Sequence, residues 1–143
     1  MIVGQLALVV AAAFAAGATY VSFCEHPARL QLEDRAMLVQ WKPAYRRGTM
    51  MQASLALIGT VLGIAAWFQS GRLLWLLGSA VMFAPWPFTL LAIKPTNNAL
   101  MATDPRQAGP SSRALIEQWG RLHAIRTALG IAATLLFLAA SLS

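Results

Sequence analysis

Long uncharged stretches alternate with dense polar blocks along this chain. Charged side chains are absent from four stretches, residues 1–24, 48–71, 73–93 and 127–143. A helix that spans a bilayer needs about 20 mostly apolar residues. The last stretch is too short alone, so its helix must begin within the preceding polar block. The pattern therefore predicts four spanning helices, at about 2–23, 48–69, 72–93 and 113–141.

These helices predict an all-α protein, a four-transmembrane-helix bundle that forms a single domain over residues 1–143. The link Gln69–Arg72 is short enough for a tight turn. The polar loops predicted at 24–47 and 94–112 are longer than most connections. Because successive helices alternate in direction, both long loops lie on one side of the membrane, and both termini and the short turn lie on the other.

Basic residues are distributed very unevenly between the two sides. Of the 11 Lys and Arg residues, only Arg72 falls on the side of the termini. Positively charged loops tend to stay in the cytoplasm. We therefore expect cytoplasmic long loops, extracytoplasmic termini and a location in the plasma membrane, the inner membrane of a bacterium. No Lys or Arg precedes the first apolar stretch, so we interpret it as a retained helix and not as a cleaved signal peptide.

Composition indicates that the lipid bilayer is the main partner. Apolar residues make up 58% of the sequence and charged residues 11%, against about 25% charged residues in soluble domains. Topology accounts for the net charge of +6, and we expect no nucleic-acid partner. Cys24 is the only cysteine, which excludes an internal disulfide and a multi-cysteine zinc site.

Small residues and prolines modify two of the predicted helices. Gly59 and Gly63 form a GxxxG pattern, which favours close packing within the bundle and is compatible with a homo-oligomer. Pro85 and Pro87 lack backbone N–H groups, so we predict a kink in the third helix. A carbonyl group freed by a proline and facing a cavity is the functional alternative.

The only two histidines, His26 and His123, fall at the same end of the predicted bundle. Trp119, His123 and Arg126 are spaced i, i+4 and i+7, so they share one face of the fourth helix. Arg126 should point inward because a charge exposed to lipid is costly. If the first and fourth helices are neighbours, both imidazoles meet at the cytoplasmic mouth of the bundle. We predict His123, His26 and Arg126 as catalytic residues.

Further polar and aromatic groups lie at the same depth. We expect five of them to contact a small hydrophobic substrate or ligand: Glu25, Arg29, Tyr45, Asn97 and Trp119. Structural interpretations stay open, because Glu25 and Arg29 are spaced as an i, i+4 ion pair and aromatic residues often form interfacial belts. A three-ligand metal site of two histidines and a glutamate and a haem with two axial histidines are less favoured, and we expect no cofactor.

Four segments, in this order and with these spacings, resemble the anthrone oxygenase family, also catalogued as DUF1772. They are Glu-His-Pro-Ala-Arg at 25–29, Trp-Lys-Pro-Ala-Tyr-Arg-Arg at 41–47, Pro-Thr-Asn-Asn-Ala-Leu at 95–100 and Trp-Gly-Arg-Leu-His-Ala-Ile-Arg at 119–126. The resemblance covers nearly the whole chain and implies a four-helix membrane protein. For some fungal members it also implies oxidation of an anthrone to an anthraquinone with molecular oxygen, whereas most bacterial members have no assigned activity.

The combined interpretation is a small membrane oxidoreductase that oxidises an anthrone-like or quinol-like substrate without a cofactor. An anthrone loses a methylene proton to give an electron-rich anion, which passes an electron to oxygen unaided. The protein then supplies a base (His123 or His26), a cation for the oxyanion (Arg126 or Arg29) and an apolar slot. Hydrogen bonding to the carbonyl and ring stacking are assigned to Asn97, Trp119 and Tyr45. The alternative is a non-enzymatic membrane protein that binds a small hydrophobic ligand or serves as a subunit of a larger complex.

Overall fold

Four long helices run in alternating directions in the computed structural model, which describes all of residues 1–143. Each is long and apolar enough to span a membrane, and they are α1 (Ile2–Arg29), α2 (Asp34–Ser70), α3 (Leu73–Ala102) and α4 (Pro110–Leu142). A 3₁₀ turn at Pro105–Gln107 lies between α3 and α4. The chain contains no strand, so the predicted all-α bundle is confirmed.

The helices form a ring in which α1 packs on α2 and α4, and α3 packs on the same two helices. The expectation that the first and fourth helices are neighbours is therefore confirmed. One buried apolar cluster contains Phe14, Trp75 and Phe137. A second contains Trp41 and Trp119 and lies toward the end where α1 connects to α2 and α3 to α4, which we call the polar end.

The helices extend well beyond the predicted boundaries. Helix α1 continues to Arg29, α2 begins at Asp34 and α3 continues to Ala102. The segments 24–47 and 94–112, predicted as polar loops, are thus mostly helical. The charge pattern marks where the bilayer ends, and a helix continues past that point because Arg, Lys, Gln and Glu are good helix formers in water.

The connection between α2 and α3 is the tight turn predicted from the sequence. Helix α2 ends at Ser70, and Gly71 adopts a φ of +68°, a left-handed conformation that glycine tolerates without a steric penalty. The guanidinium of Arg72 donates to the carbonyl of Ala140 over 3.3 Å. This contact places the turn and the C-terminus at the same end of the bundle. The side of the membrane that each end faces stays a prediction.

Two π-helical turns interrupt the spanning helices, at Val21–Glu25 in α1 and at Thr89–Ile93 in α3. The turn in α3 follows a short segment, Pro85–Phe88, that begins after regular α-helical geometry ends at Phe83. The prolines therefore interrupt α3 at the predicted place. A π turn contains one extra residue and rotates the side chains that follow it, and such turns are frequent at functional sites.

Candidate functional site

A small polar cavity lies between α1, α2 and α4. Its free space is about 20 Å³, which is room for roughly one water molecule. Six of the eight predicted site residues line this cavity: Glu25, Arg29, Tyr45, Trp119, His123 and Arg126. The spacing argument for α4 holds, because Trp119, His123 and Arg126 are all buried on the inward face.

The remaining two predicted residues, His26 and Asn97, do not line the cavity. The half-buried ring of His26 lies directly against the backbone of Gly120, where an added Cβ would be 2.1 Å from its Nε2. Asn97 is buried in α3, and its Oδ1 has no hydrogen-bond partner. The expectation that both imidazoles share one hollow is therefore wrong, because the His26 ring packs against the backbone of Gly120 and does not line the cavity.

Trp119 belongs to an aromatic cluster that forms one wall of the site. Its ring stacks on His123 with centroids 4.9 Å apart, and its centroid is 5.8 Å from that of His26. Trp41 is fully buried, meets Trp119 edge-on and stacks on Tyr45 with centroids 4.7 Å apart. Trp41 and Trp119 are therefore interior residues and not members of an interfacial belt.

Hydroxyl groups on α1 and α4 orient the buried imidazole of His123. Ser22 Oγ lies 3.1 Å from His123 Nδ1 and 2.9 Å from Thr127 Oγ1. Thr127 has a single hydroxyl hydrogen, and the carbonyl oxygens of Ala18 and His123 lie 3.1 and 3.3 Å from its Oγ1. Carbonyl oxygens only accept hydrogen bonds, so we assign the single hydroxyl hydrogen of Thr127 to one of these two carbonyls.

The direction of these hydrogen bonds assigns the tautomer of His123. Since Thr127 donates to a carbonyl, Ser22 donates its hydrogen to Thr127 and accepts a hydrogen from His123 Nδ1. The neutral imidazole then carries its hydrogen on Nδ1 and leaves Nε2 as an unprotonated acceptor. His123 is therefore set up as a proton acceptor through Nε2.

Arg126 is a buried cation without a counter-ion in the protein. Its side chain is 7% exposed, and its Nε has no hydrogen-bond partner. None of the three ion pairs of the protein includes it, and its Cζ lies 5.9 Å from the ring centroid of Phe14. A buried donor of this kind normally has a partner, so Arg126 is available for an acidic or carbonyl oxygen of a ligand.

Arg29 differs from Arg126 because partners within the chain satisfy it. It forms an ion pair with Glu25 at 2.6 Å, donates to Gln40 Oε1 and lies over Trp119, with 5.4 Å between its Cζ and the ring centroid. The i, i+4 ion pair considered from the sequence is thus present. Arg29 is better suited to hold the cavity wall than to bind a ligand oxyanion.

Comparison of the sequence with known proteins shows to which family the chain belongs. The sequence model of the anthrone oxygenase family matches residues 41–136, which is more than half of the chain. The chain belongs to the anthrone oxygenase family. A protein named anthrone oxygenase from Claviceps purpurea (strain 20.1) is 31% identical over 116 residues, covering 73% of this chain and 67% of that relative. No solved structure matches.

The residues matched by the anthrone oxygenase family model include the parts of α2 and α4 that line the cavity. Tyr45, Trp119, His123 and Arg126 are among them. The α1 wall lies outside the matched residues. The resemblance noted from the four sequence segments is confirmed for the family.

Sequence reasoning missed several polar residues of this anthrone oxygenase family member. Ser22 and Thr127 orient His123, while Gln52 and Thr49 line the cavity. Gln52 is 2% exposed and its Oε1 has no partner. The available signal was a polar side chain within an otherwise apolar span, which usually faces the interior of a bundle.

The metal alternative receives no geometric support. No three His, Cys, Asp or Glu side chains lie close enough together to hold a metal ion. Of the two histidines proposed as ligands, only His123 lines the polar cavity.

Proposed function

We propose that this membrane protein oxidises a hydrophobic aromatic substrate, anthrone-like or quinol-like, with molecular oxygen and without a cofactor. Membership of the anthrone oxygenase family and the name of the Claviceps purpurea relative support the reaction class. The observation that carries the proposal is the pairing, in one buried cavity, of a free imidazole Nε2 on His123 with the unpaired guanidinium of Arg126. By the positive-inside rule we place this cavity on the cytoplasmic side of the inner membrane.

The first step is removal of a methylene proton by His123 Nε2. The negative charge that develops moves to the substrate carbonyl oxygen, where the Arg126 guanidinium stabilises it. In an anthrone these two reacting positions lie across the central ring, roughly 4 Å apart. Side chains three residues apart on a helix face have Cβ atoms about 5–6 Å apart, so His123 and Arg126 can both reach one ring system.

The second stage transfers electrons to oxygen. The anion gives one electron to O₂, and the resulting radical and superoxide combine to place a peroxide on the former methylene carbon. The imidazolium returns its proton to the peroxide. Removal of the remaining hydrogen from that carbon then breaks the O–O bond and gives a carbonyl group and water. Overall, one anthrone and one O₂ give one anthraquinone and one water, and the four electrons that the substrate loses reduce O₂.

Other residues support this chemistry without touching the reacting atoms. Ser22 and Thr127 are positioning residues because they keep the hydrogen of His123 on Nδ1. Trp119 stacks on His123 and Tyr45 stacks on Trp41, so these rings hold the wall beside the base. His26 packs against Gly120 and Trp119, so the proposal gives it a supporting role and leaves the base to His123.

The test compares His123→Ala with His26→Ala in membranes that contain equal amounts of protein. Anthrone consumption and oxygen uptake are measured together, after subtraction of the autoxidation seen in membranes without the protein. Loss of a general base lowers the rate by about 10²–10⁴-fold, and we expect this loss for His123→Ala alone. Unchanged oxygen uptake in His123→Ala would exclude His123 as the base, and unchanged uptake in both variants would exclude a histidine base. No oxygen uptake above background by the wild-type protein would leave the non-enzymatic ligand-binding alternative.

A further inference from the structure

A second and larger cavity, the side chamber, lies next to the polar cavity. It encloses about 160 Å³ between α2 and the proline-interrupted part of α3. Thr49, Ala53, Trp86, Thr89 and Arg126 are among its lining residues. Thr49 and Arg126 also line the polar cavity, so the two spaces meet at the unpaired guanidinium.

The walls of the side chamber follow from the prolines of α3. The interruption at Pro85 lets the indole of Trp86 reach across to α2, where its Nε1 donates to the carbonyl of Ala53 over 3.2 Å. Leu90, at the rim, is 53% exposed on the surface that faces lipid in a spanning helix. The chamber is therefore held open between two helices and borders the hydrocarbon of the bilayer.

The lining of the side chamber combines apolar walls with two buried polar groups that lack partners. These are the Nε of Arg126 and the hydroxyl of Thr89. A hydrocarbon ligand leaves both groups unsatisfied, and a small inorganic anion leaves the apolar walls exposed to water. A ligand that satisfies all of these surfaces has an apolar body and a negatively charged or strongly accepting oxygen at one edge.

We propose that the side chamber binds a polycyclic aromatic ligand that enters sideways from the bilayer and pairs an anionic oxygen with Arg126. A closed apolar cavity of about 150 Å³ holds one benzene ring, so the chamber takes one ring and lets the rest extend along the opening. Trp86 offers an indole for contact with that ring. A rigid ligand loses little rotational freedom on binding, which favours it over a flexible acyl chain of similar polarity.

The side chamber supplies room that the polar cavity lacks. The free space beside His123 is about 20 Å³. A single benzene ring already needs a cavity of about 150 Å³, so a tricyclic substrate does not fit there. Substrate rings in the chamber would bring the reacting edge to Arg126 and His123. This assignment to the substrate rests on the proposed function, whereas the binding of an aromatic anion is independent of it.

The test measures binding of alizarin, a hydroxyanthraquinone with an ionisable hydroxyl group, to the full chain in lipid nanodiscs. Ala53→Phe fills the chamber, and Ser54→Phe adds the same bulk on the exposed side of α2. We expect Ala53→Phe to weaken binding at least tenfold and Ser54→Phe to leave it unchanged. Thermal melting shows whether each variant folds, and the smaller Ala53→Val should give an intermediate loss.

A second arm tests the charge. Arg126→Gln should weaken binding of alizarin by about tenfold or more, since it removes a charge-assisted hydrogen bond. The affinity for unsubstituted anthraquinone, which has no ionisable group, should fall less in Arg126→Gln than the affinity for alizarin. Equal effects of Ala53→Phe and Ser54→Phe would overturn the proposal, as would competition by oleate that is as strong as that by alizarin.

The outcomes separate this proposal from the proposed function. Chamber-dependent alizarin binding in a protein that consumes no anthrone would support the chamber and refute the oxidation. Anthrone turnover that needs His123 but is unchanged in Ala53→Phe, with unchanged alizarin binding, would support the oxidation and refute the chamber.

Discussion

Replacing Arg126 with methionine should stabilise the protein and abolish its activity at the same time. Arg126 is 7% exposed, and its guanidinium has no ion pair and an unpartnered Nε. Its charge therefore opposes folding, and the proposed function assigns that charge to the ligand. Methionine is apolar, has a similar length and adapts to irregular spaces.

The size of the effect follows from the environment of Arg126. An arginine at the centre of a spanning helix costs about 2.5–3.5 kcal/mol on insertion scales, and the lower end applies to Arg126 because it precedes the uncharged stretch 127–143. The ring of Phe14, 5.9 Å from the Arg126 Cζ, offsets about 0.5–1 kcal/mol by a cation–π contact. We therefore expect a gain of about 2 kcal/mol for Arg126→Met, which raises the Tm of a chain of this size by roughly 4–8 °C.

The matched control is Arg29→Met, since Arg29 is the other buried arginine of the site. It is paired with Glu25 at 2.6 Å, and Glu25 is only partly buried. Removing Arg29 should therefore cost the lower end of the about 3–5 kcal/mol typical of buried ion pairs. Its Tm should therefore fall by about 6 °C or more. The two substitutions remove the same charge within one cavity and should have opposite effects on stability.

The assay is thermal unfolding in detergent or nanodiscs, combined with oxygen uptake in the presence of an anthrone. Arg126→Met should show a higher Tm and no oxygen uptake above background. A Tm lowered as far as that of Arg29→Met would mean that Arg126 has structural partners. Normal turnover by Arg126→Met would refute its role at the oxyanion.

Two further substitutions test how the imidazoles are placed. Gly120→Ala sets a Cβ 2.1 Å from His26 Nε2, so we expect overpacking to lower the free energy of unfolding by about 1–3 kcal/mol. The control in the unfolding measurement is Gly109→Ala, whose Cβ has no neighbour within 4 Å. Ser22→Ala removes a hydrogen bond worth about 1 kcal/mol and should lower kcat roughly fivefold with little change in KM. The ¹⁵N chemical shifts of the His123 imidazole should show a changed tautomer. Ser22→Thr should restore both kcat and the tautomer.

The bundle could be predicted because its determinants are lengths and charges along the sequence. Four apolar stretches and one short turn at Gly71 define an up-and-down helical bundle without further information. The helix ends could not be predicted in the same way. Helix α2 begins at Asp34, well before the uncharged stretch at 48–71, because the polar residues that precede this stretch also have a high helix propensity.

The candidate site could be predicted where one helix positions the residues. The spacing of Trp119, His123 and Arg126 placed them on one inward face, and all three line the polar cavity. Contacts between helices could not be predicted, because they depend on the rotation of α1, which the π turn at Val21–Glu25 changes. The close approach of His26 to Gly120 has the same origin, and no local pattern indicates it.

Exchange of the substrate methylene hydrogens in the absence of oxygen tests the central claim most directly. The account assigns proton removal to His123 Nε2 and does not require oxygen for that step. With a deuterated anthrone under anaerobic conditions, the wild-type protein and His26→Ala should replace deuterium with hydrogen faster than membranes alone, and His123→Ala should not. Exchange by His123→Ala at the wild-type rate would contradict the account, because the methylene proton would then be removed without this imidazole.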